Sequence, residues 1–158
     1  MILNPKKLYD QKVITNGEEK YITPNGYDLR LATVTQVSSN STLRLNDDYK
    51  GMIETKRVES ENGIYFLASG KVYEIETIEK VNIPQNTVGM IFSRSTFNRS
   101  GIIIRGTLFD SGFKGRPSLT IYPFINLEIE VGTPIAQIVF IEAEANELYN
   151  GQYQEENG

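Results

Sequence analysis

The chain has 158 residues, with 16 Lys and Arg against 20 Asp and Glu, and its formal charge of −4 fits one domain with an ordinary core. It contains neither cysteine nor histidine, which removes disulfides, Cys/His zinc sites, Cys or His nucleophile systems and any imidazole base. The mild acidity argues against a protein that grips nucleic-acid phosphates, and no apolar run reaches the roughly 18 to 20 residues of a membrane span, so a cytoplasmic protein that meets neither partner is expected.

In chain order, Pro5 to Gln11 reads as a short helix with proline in its first turn. Gly26-Tyr27-Asp28-Leu29-Arg30, after Pro24-Asn25, places an acid at the head of a strand. Apolar and polar residues alternate over Thr42–Asn46 and Lys71–Ile78, the pattern of half-buried strands. Further β-rich runs cover Val88–Phe92, Ile102–Phe109, Leu119–Phe124, Leu127–Val131 and Ile135–Ile141, and Asn62-Gly63, Ser69-Gly70, Ser111-Gly112 and Val131-Gly132 supply turns between strands. Ser95 to Ser100 is a second helix candidate, with Ser95 or Thr96 able to cap it. Many short strands and few helices predict an all-β sandwich, jelly roll or closed barrel with one or two short helices. Residues 1–145 form a single β domain in this reading, followed by a polar tail at 146–158.

Five segments carry residues suited to chemistry. Phe92 to Gly101 brings Ser95, Thr96, Arg94 and Arg99 to a strand-to-helix junction, which suits phosphate oxygens and equally suits capping and surface ion pairs. Gly106 to Gly115 delivers Asp110 into a glycine turn with Phe113 behind it; such an acid can orient a water, accept a sugar hydroxyl or serve the turn alone. Asp28 opens a strand, and Gln137 interrupts an apolar run, where a buried amide must be hydrogen-bonded and either braces the backbone or faces a site. Tyr149-Asn150-Gly151-Gln152-Tyr153-Gln154 puts aromatics and amides in a tail that otherwise has no need of them, which favours a lid that orders over a ligand.

In this order and at these separations the segments resemble the superfamily of dUTPases and dCTP deaminases, over roughly Tyr21 to Gln154. The Gly-Tyr-Asp-Leu-Arg and Tyr-x-Gly-x-Tyr-Gln forms are most similar to the dCTP-deaminase-like branch that includes archaeal dUTPases. The resemblance implies an all-β, distorted jelly-roll or barrel fold of the dUTPase type. Deaminating members place a catalytic Glu five residues after the glycine that ends the third motif; here that glycine is Gly115 and the position holds Thr120. A hydroxyl cannot take the proton of an attacking water near neutral pH, and no acid lies between Gly115 and Glu128.

The resemblance therefore implies dUTP hydrolysis to dUMP and pyrophosphate, with deamination or a bifunctional enzyme as the alternative and a non-catalytic nucleotide binder or structural jelly roll beyond that. Asp110 would orient the water and hold the deoxyribose 3′-hydroxyl, Phe113 would crowd a ribose 2′-hydroxyl, and main-chain groups from Gly101 to Leu108, those of Ile104 and Gly106 among them, would read the uracil edge. Arg94, Ser95, Thr96 and Arg99 would take phosphates, with Gln137 on the water or α-phosphate and Asp28 bracing the arginine or a metal-bound water. Tyr149, Tyr153 and Gln154 would close from the tail. The resemblance also implies Mg²⁺, held mainly by substrate phosphates and water, and a homotrimer with sites between subunits. Thr96 stands where relatives more often carry Ser or Gly, and the tail carries Glu155 and Glu156, which suit a lid over a triphosphate only when they turn away from it.

Overall fold

Strand pairing rather than helix packing buries the apolar residues of this chain. The computed structural model describes residues 1–40, 42–48, 51 and 53–155. Its elements run α1 (Pro5–Asp10), β1 (Ile14–Thr15), β2 (Tyr27–Val37), β3 (Thr55–Arg57), β4 (Ile64–Leu67), β5 (Tyr73–Thr77), β6 (Lys80–Asn82), β7 (Thr87–Ser93), α2 (Ser95–Arg99), β8 (Ile102–Arg105), β9 (Leu108–Phe109), β10 (Lys114–Gly115), β11 (Ser118–Pro123), β12 (Leu127–Glu130) and β13 (Pro134–Glu142). The all-β expectation holds, and both helices lie where the sequence placed them. Asn4 caps α1 by accepting the Lys7 amide through its side chain.

The main sheet has the order β8-β11-β5-β2-β13-β7-β9, antiparallel throughout, with β3 added to β2. Its two end strands, β8 and β9, are joined only by Gly106 and Thr107, so the sheet has to curl into a half-barrel until those ends meet. At the seam a Cβ on Gly106 would stand 2.5 Å from Ile91 Cβ, a contact that only glycine avoids. The apolar run Ile102–Phe109, expected as one strand, is therefore two strands that pair at opposite ends of the sheet. Two smaller sheets, β1-β6-β10 and β12-β4, complete the fold.

The expected strand at Thr42–Asn46 is not formed: residues 42–44 are irregular, Leu45 makes a single bridge, and Leu43 and Leu45 are 39% and 63% exposed. Alternation alone does not make a strand where the apolar side chains are left exposed, because no burial then rewards the pairing. Conversely, β2 extends far beyond its expected head. Tyr27, Asp28 and Leu29 are consecutively buried, so the centre of the sheet lacks the period-two signal that marks a half-exposed strand. The core gathers Tyr27, Leu29 and Leu31 of β2 with Ile75, Leu119, Ile121, Ile135, Ile138 and Phe140. Among the described residues no helix is long and apolar enough to cross a membrane.

One buried charge pins β2 to the β5–β6 turn. Glu79 is fully buried and accepts from Arg30 Nε at 2.6 Å, Arg30 N at 2.8 Å and the Tyr27 hydroxyl at 3.2 Å. Burial pushes the Tyr27 phenol up, which keeps it a neutral donor. Arg30 in turn reaches Glu18 at 2.6 Å and the Asn16 carbonyl at 3.0 Å. Replacing Glu79 by Ala takes the buried partner from Arg30 Nε and the acceptor from the Arg30 amide and leaves the guanidinium only its more exposed pair with Glu18, and a loss of about 3 kcal/mol is expected in urea unfolding. A loss below about 1 kcal/mol would show that water replaces the carboxylate at no cost.

Candidate active site

Two groups of the sequence-selected residues come together, at opposite ends of β7. The first surrounds the exposed Asp110, which leaves β9 level with Val88 because Phe109 pairs with Gly89. Asp110 borders a cavity of about 640 Å³ together with Phe113, Tyr149, Tyr153 and Gln154. The turn that carries it is anchored by buried Ser111, whose hydroxyl donates to the Thr87 carbonyl at 2.6 Å and accepts the Thr87 amide at 3.2 Å. Phe113 is only 6% exposed and packs its ring against Phe109 at 5.0 Å and Tyr149 at 5.6 Å.

The tail lies on the same turn of its own chain. The Tyr149 amide donates to the Ser111 carbonyl at 2.7 Å, and the Glu155 amide donates to Lys114 O at 3.0 Å. Gln154 acts like a further strand residue: Nε2 donates to Gly112 O and Oε1 accepts from Lys114 N, both at 2.9 Å. Gly112, at φ +88°, leaves room for this, since a Cβ there would meet Leu148 Cβ at 2.9 Å. Glu155 turns to Lys80 at 3.6 Å, while Glu156 lies outside the described residues. Tyr153 is 72% exposed, and its amide donates to the Tyr149 hydroxyl at 3.2 Å.

The second group spans three adjacent strands. The register sets Gln137 of β13 opposite Asp28 on β2 and Phe92 on β7, and Arg94 follows β7 directly. Arg94 Nε meets Asp28 Oδ2 at 3.2 Å, and its Nη1 donates to the Pro134 carbonyl at 3.3 Å. Asp28 thus forms an ion pair with the arginine. Arg94 itself is the N-cap residue of α2, and no side chain caps this helix, so the expected capping by Ser95 or Thr96 does not occur. Ser95, Thr96 and Arg99 are exposed beside it. Gln137 is half-buried rather than buried, and Nε2 donates to Thr23 Oγ1 at 2.9 Å. Ile104 turns its side chain into the core, 7% exposed, and Gly106 lies at the sheet seam, so both present only main chain.

The cavity also collects residues that sequence reasoning missed: Glu74 and Glu76 of β5, Ser118 of β11 and Arg116. Arg116 donates to the Thr77 and Ile78 carbonyls, each at 3.2 Å. Glu74 pairs directly with Thr120 across β5 and β11, so the acid nearest Thr120 in register comes from a neighbouring strand and not from its own segment. Only the register reveals this. Asp110 and Arg94 stand six residues apart along β7, on the order of 20 Å at strand rise, so a single chain does not bring the two groups into one pocket. Among the described residues, no three Asp or Glu side chains converge to hold a metal ion.

Comparison with known proteins identifies the family. The chain matches the family described as dCTP deaminase-like over residues 5–143. A probable deoxyuridine 5′-triphosphate nucleotidohydrolase of Methanopyrus kandleri is 31% identical over 155 residues, covering 97% of this chain and 99% of the relative. Among solved structures, a 2′-deoxycytidine 5′-triphosphate deaminase from Agrobacterium tumefaciens superposes with a TM-score of 0.69 at 19% identity, over 88% of this chain and 46% of that one. A dUTPase from phage phi11 of S. aureus, described as coordinating a structural Mg(II) ion, gives 0.55 at 18% identity, over 87% and 92% of the two chains. At such identities these structures speak for the fold alone, but the sequence match over most of the chain and a relative similar from end to end show that this protein belongs to the dCTP deaminase-like family.

Proposed function

We propose that this protein is a dUTP diphosphatase, releasing dUMP and pyrophosphate. The observation that carries the reading is the exposed Asp110 carboxylate at a cavity shared with Phe113, Tyr149 and Gln154. The end-to-end relative that bears the dUTP nucleotidohydrolase name supports it. In this mechanism Asp110 holds a water in line with the α-phosphorus; the water oxygen bonds to phosphorus and gives its proton to the Asp110 carboxylate as the α–β bridging bond breaks, and the pyrophosphate oxygen takes the electron pair. Main-chain groups from Ile104 to Gly106 read the uracil edge, and Phe113 borders the sugar. Arg94, Ser95, Thr96 and Arg99 bind phosphate oxygens, Gln137 contacts the water or α-phosphate, and Tyr149, Tyr153 and Gln154 cover the nucleotide from the tail.

Mg²⁺ fits this donor set through oxygen chemistry. With no convergent carboxylates among the described residues, the ion would be held by phosphates and water, and Asp28, paired with Arg94 through Oδ2, would offer Oδ1 to a metal-bound water. Bound there, it would neutralise charge on the triphosphate.

The separation of Asp110 from Arg94 supports a homotrimer in which one subunit supplies the water-orienting turn and another the phosphate group, acting on free nucleotide in the cytoplasm without nucleic acid or membrane. Asp110→Asn is expected to keep the fold and dUTP binding while lowering kcat by about 10²-fold or more, and unchanged turnover in a steady-state assay would sink the assigned mechanism. Refolding equal amounts of Asp110→Asn and Arg94→Ala chains together should restore about a quarter of wild-type activity, because mixed trimers regain some intact sites. Activity no higher than in either variant alone would place both residues in one subunit's site. No ammonia is expected from dCTP; ammonia release that vanishes in Glu74→Gln would instead make Glu74 the missing deaminase acid.

A further inference from the structure

The Thr23-Pro24-Asn25-Gly26 turn lies directly against the Gln137 side chain. Thr23 Oγ1 accepts the Gly26 amide at 3.0 Å and Gln137 Nε2 at 2.9 Å, so one hydroxyl ties the turn to the amide. The approach is close: a Cβ on Gly26 would stand 2.9 Å from Gln137 Cγ, 3.1 Å from Cδ and 2.5 Å from the Ile138 carbonyl oxygen. Glycine at this position lets the turn flank the aliphatic part of Gln137 and restrict where it can lie. The amide's rotation about its last bond is still open, because terminal torsions of this kind are broad. The Thr23 hydroxyl is the group that closes it.

From this geometry we infer that Thr23 is a positioning residue for Gln137, holding Nε2 toward the turn so that Oε1 and the second Nε2 hydrogen remain for the reacting water or an α-phosphate oxygen. The inference rests on the hydrolase reading above and extends it to a residue outside the five motifs. Without the hydroxyl the turn loses the bond from the Gly26 amide but keeps a main-chain one, since the Thr23 amide donates to the Gly26 carbonyl at 2.9 Å. Losing the hydroxyl therefore frees the amide while the turn stays.

The test uses the full chain with Thr23→Val and Thr23→Ser, and Thr23→Ala as a second hydroxyl-free variant should the valine fold poorly. Thr23→Val is expected to lower kcat for dUTP about tenfold with KM within about twofold, because a misplaced amide costs the transition state more than the ground state. Thr23→Ser should keep wild-type kcat. In a Gln137→Ala background Thr23→Val should cost nothing further, whereas a merely structural role would add its full effect. The side-chain amide resonances of Gln137 in a ¹⁵N spectrum give a readout without substrate: distinct and shifted in wild type and Thr23→Ser, moved toward free-glutamine positions in Thr23→Val. Unmoved resonances in Thr23→Val, a serine variant that fails to recover kcat, or additive losses with Gln137→Ala would each overturn the inference. Absence of dUTP hydrolysis by the wild-type chain would overturn the hydrolase reading and the catalytic half of this inference, and the resonances would then decide separately whether Thr23 holds the amide.

Discussion

A sheet whose first and last strands are joined by two residues has to close on itself, and that constraint organises the molecule. Gly106 sits at the closure because Ile91 occupies the space a side chain would need. The curl carries β9 onto β7, so that Asp110 emerges at one end of β7 while Arg94 leaves the other. From this follows the division of functional groups into two sets about six residues apart along one strand, a spacing set by strand rise and not by any loop. In the proposed mechanism one nucleotide needs both sets, which a single chain holds too far apart for one pocket, and assembly and chemistry are linked there for that reason.

The two ends are built differently. Around Asp110 the backbone is held by hydroxyl and amide side chains that imitate main-chain bonding: Ser111 on Thr87, and Gln154 on Gly112 and Lys114. The tail is thereby fastened by a handful of hydrogen bonds and one aromatic contact, a scale of interaction that a bound nucleotide can compete with or reinforce. Around Arg94 the positioning is electrostatic. Asp28 is nearly buried and fixes the guanidinium, while Gln137, on the strand shared by β2 and β7, is steadied from the flanking turn.

Glu79 shows the same economy in a structural role. Its carboxylate takes three donors from β2, two from Arg30 and one from Tyr27, so a charge with no exposure is satisfied and fixes the placement of β2. Displacing that strand would move Asp28 and the Gln137 register with it, since β2 and β13 are paired at that point.

The motifs, the all-β class and both short helices were legible from the chain, because turn residues, period-two alternation and the order of Asp28, Arg94, Asp110, Gln137 and Tyr149 are properties of local sequence. Alternation misled at Thr42–Asn46, where Leu43 and Leu45 stay exposed, and fell silent at the head of β2, where Tyr27, Asp28 and Leu29 are all buried. The Ile102–Phe109 run looked like one strand because hydrophobicity does not record which partner each half will find. Thr23 beside Gln137 lies 114 residues away in sequence, and Glu74 meets Thr120 only through the β5–β11 register. The sequence by itself determined which side chains are available and in what order; the tertiary structure alone decided which of them share a site, because cross-strand neighbours are set by register and by closure of the sheet, neither of which leaves a local signature.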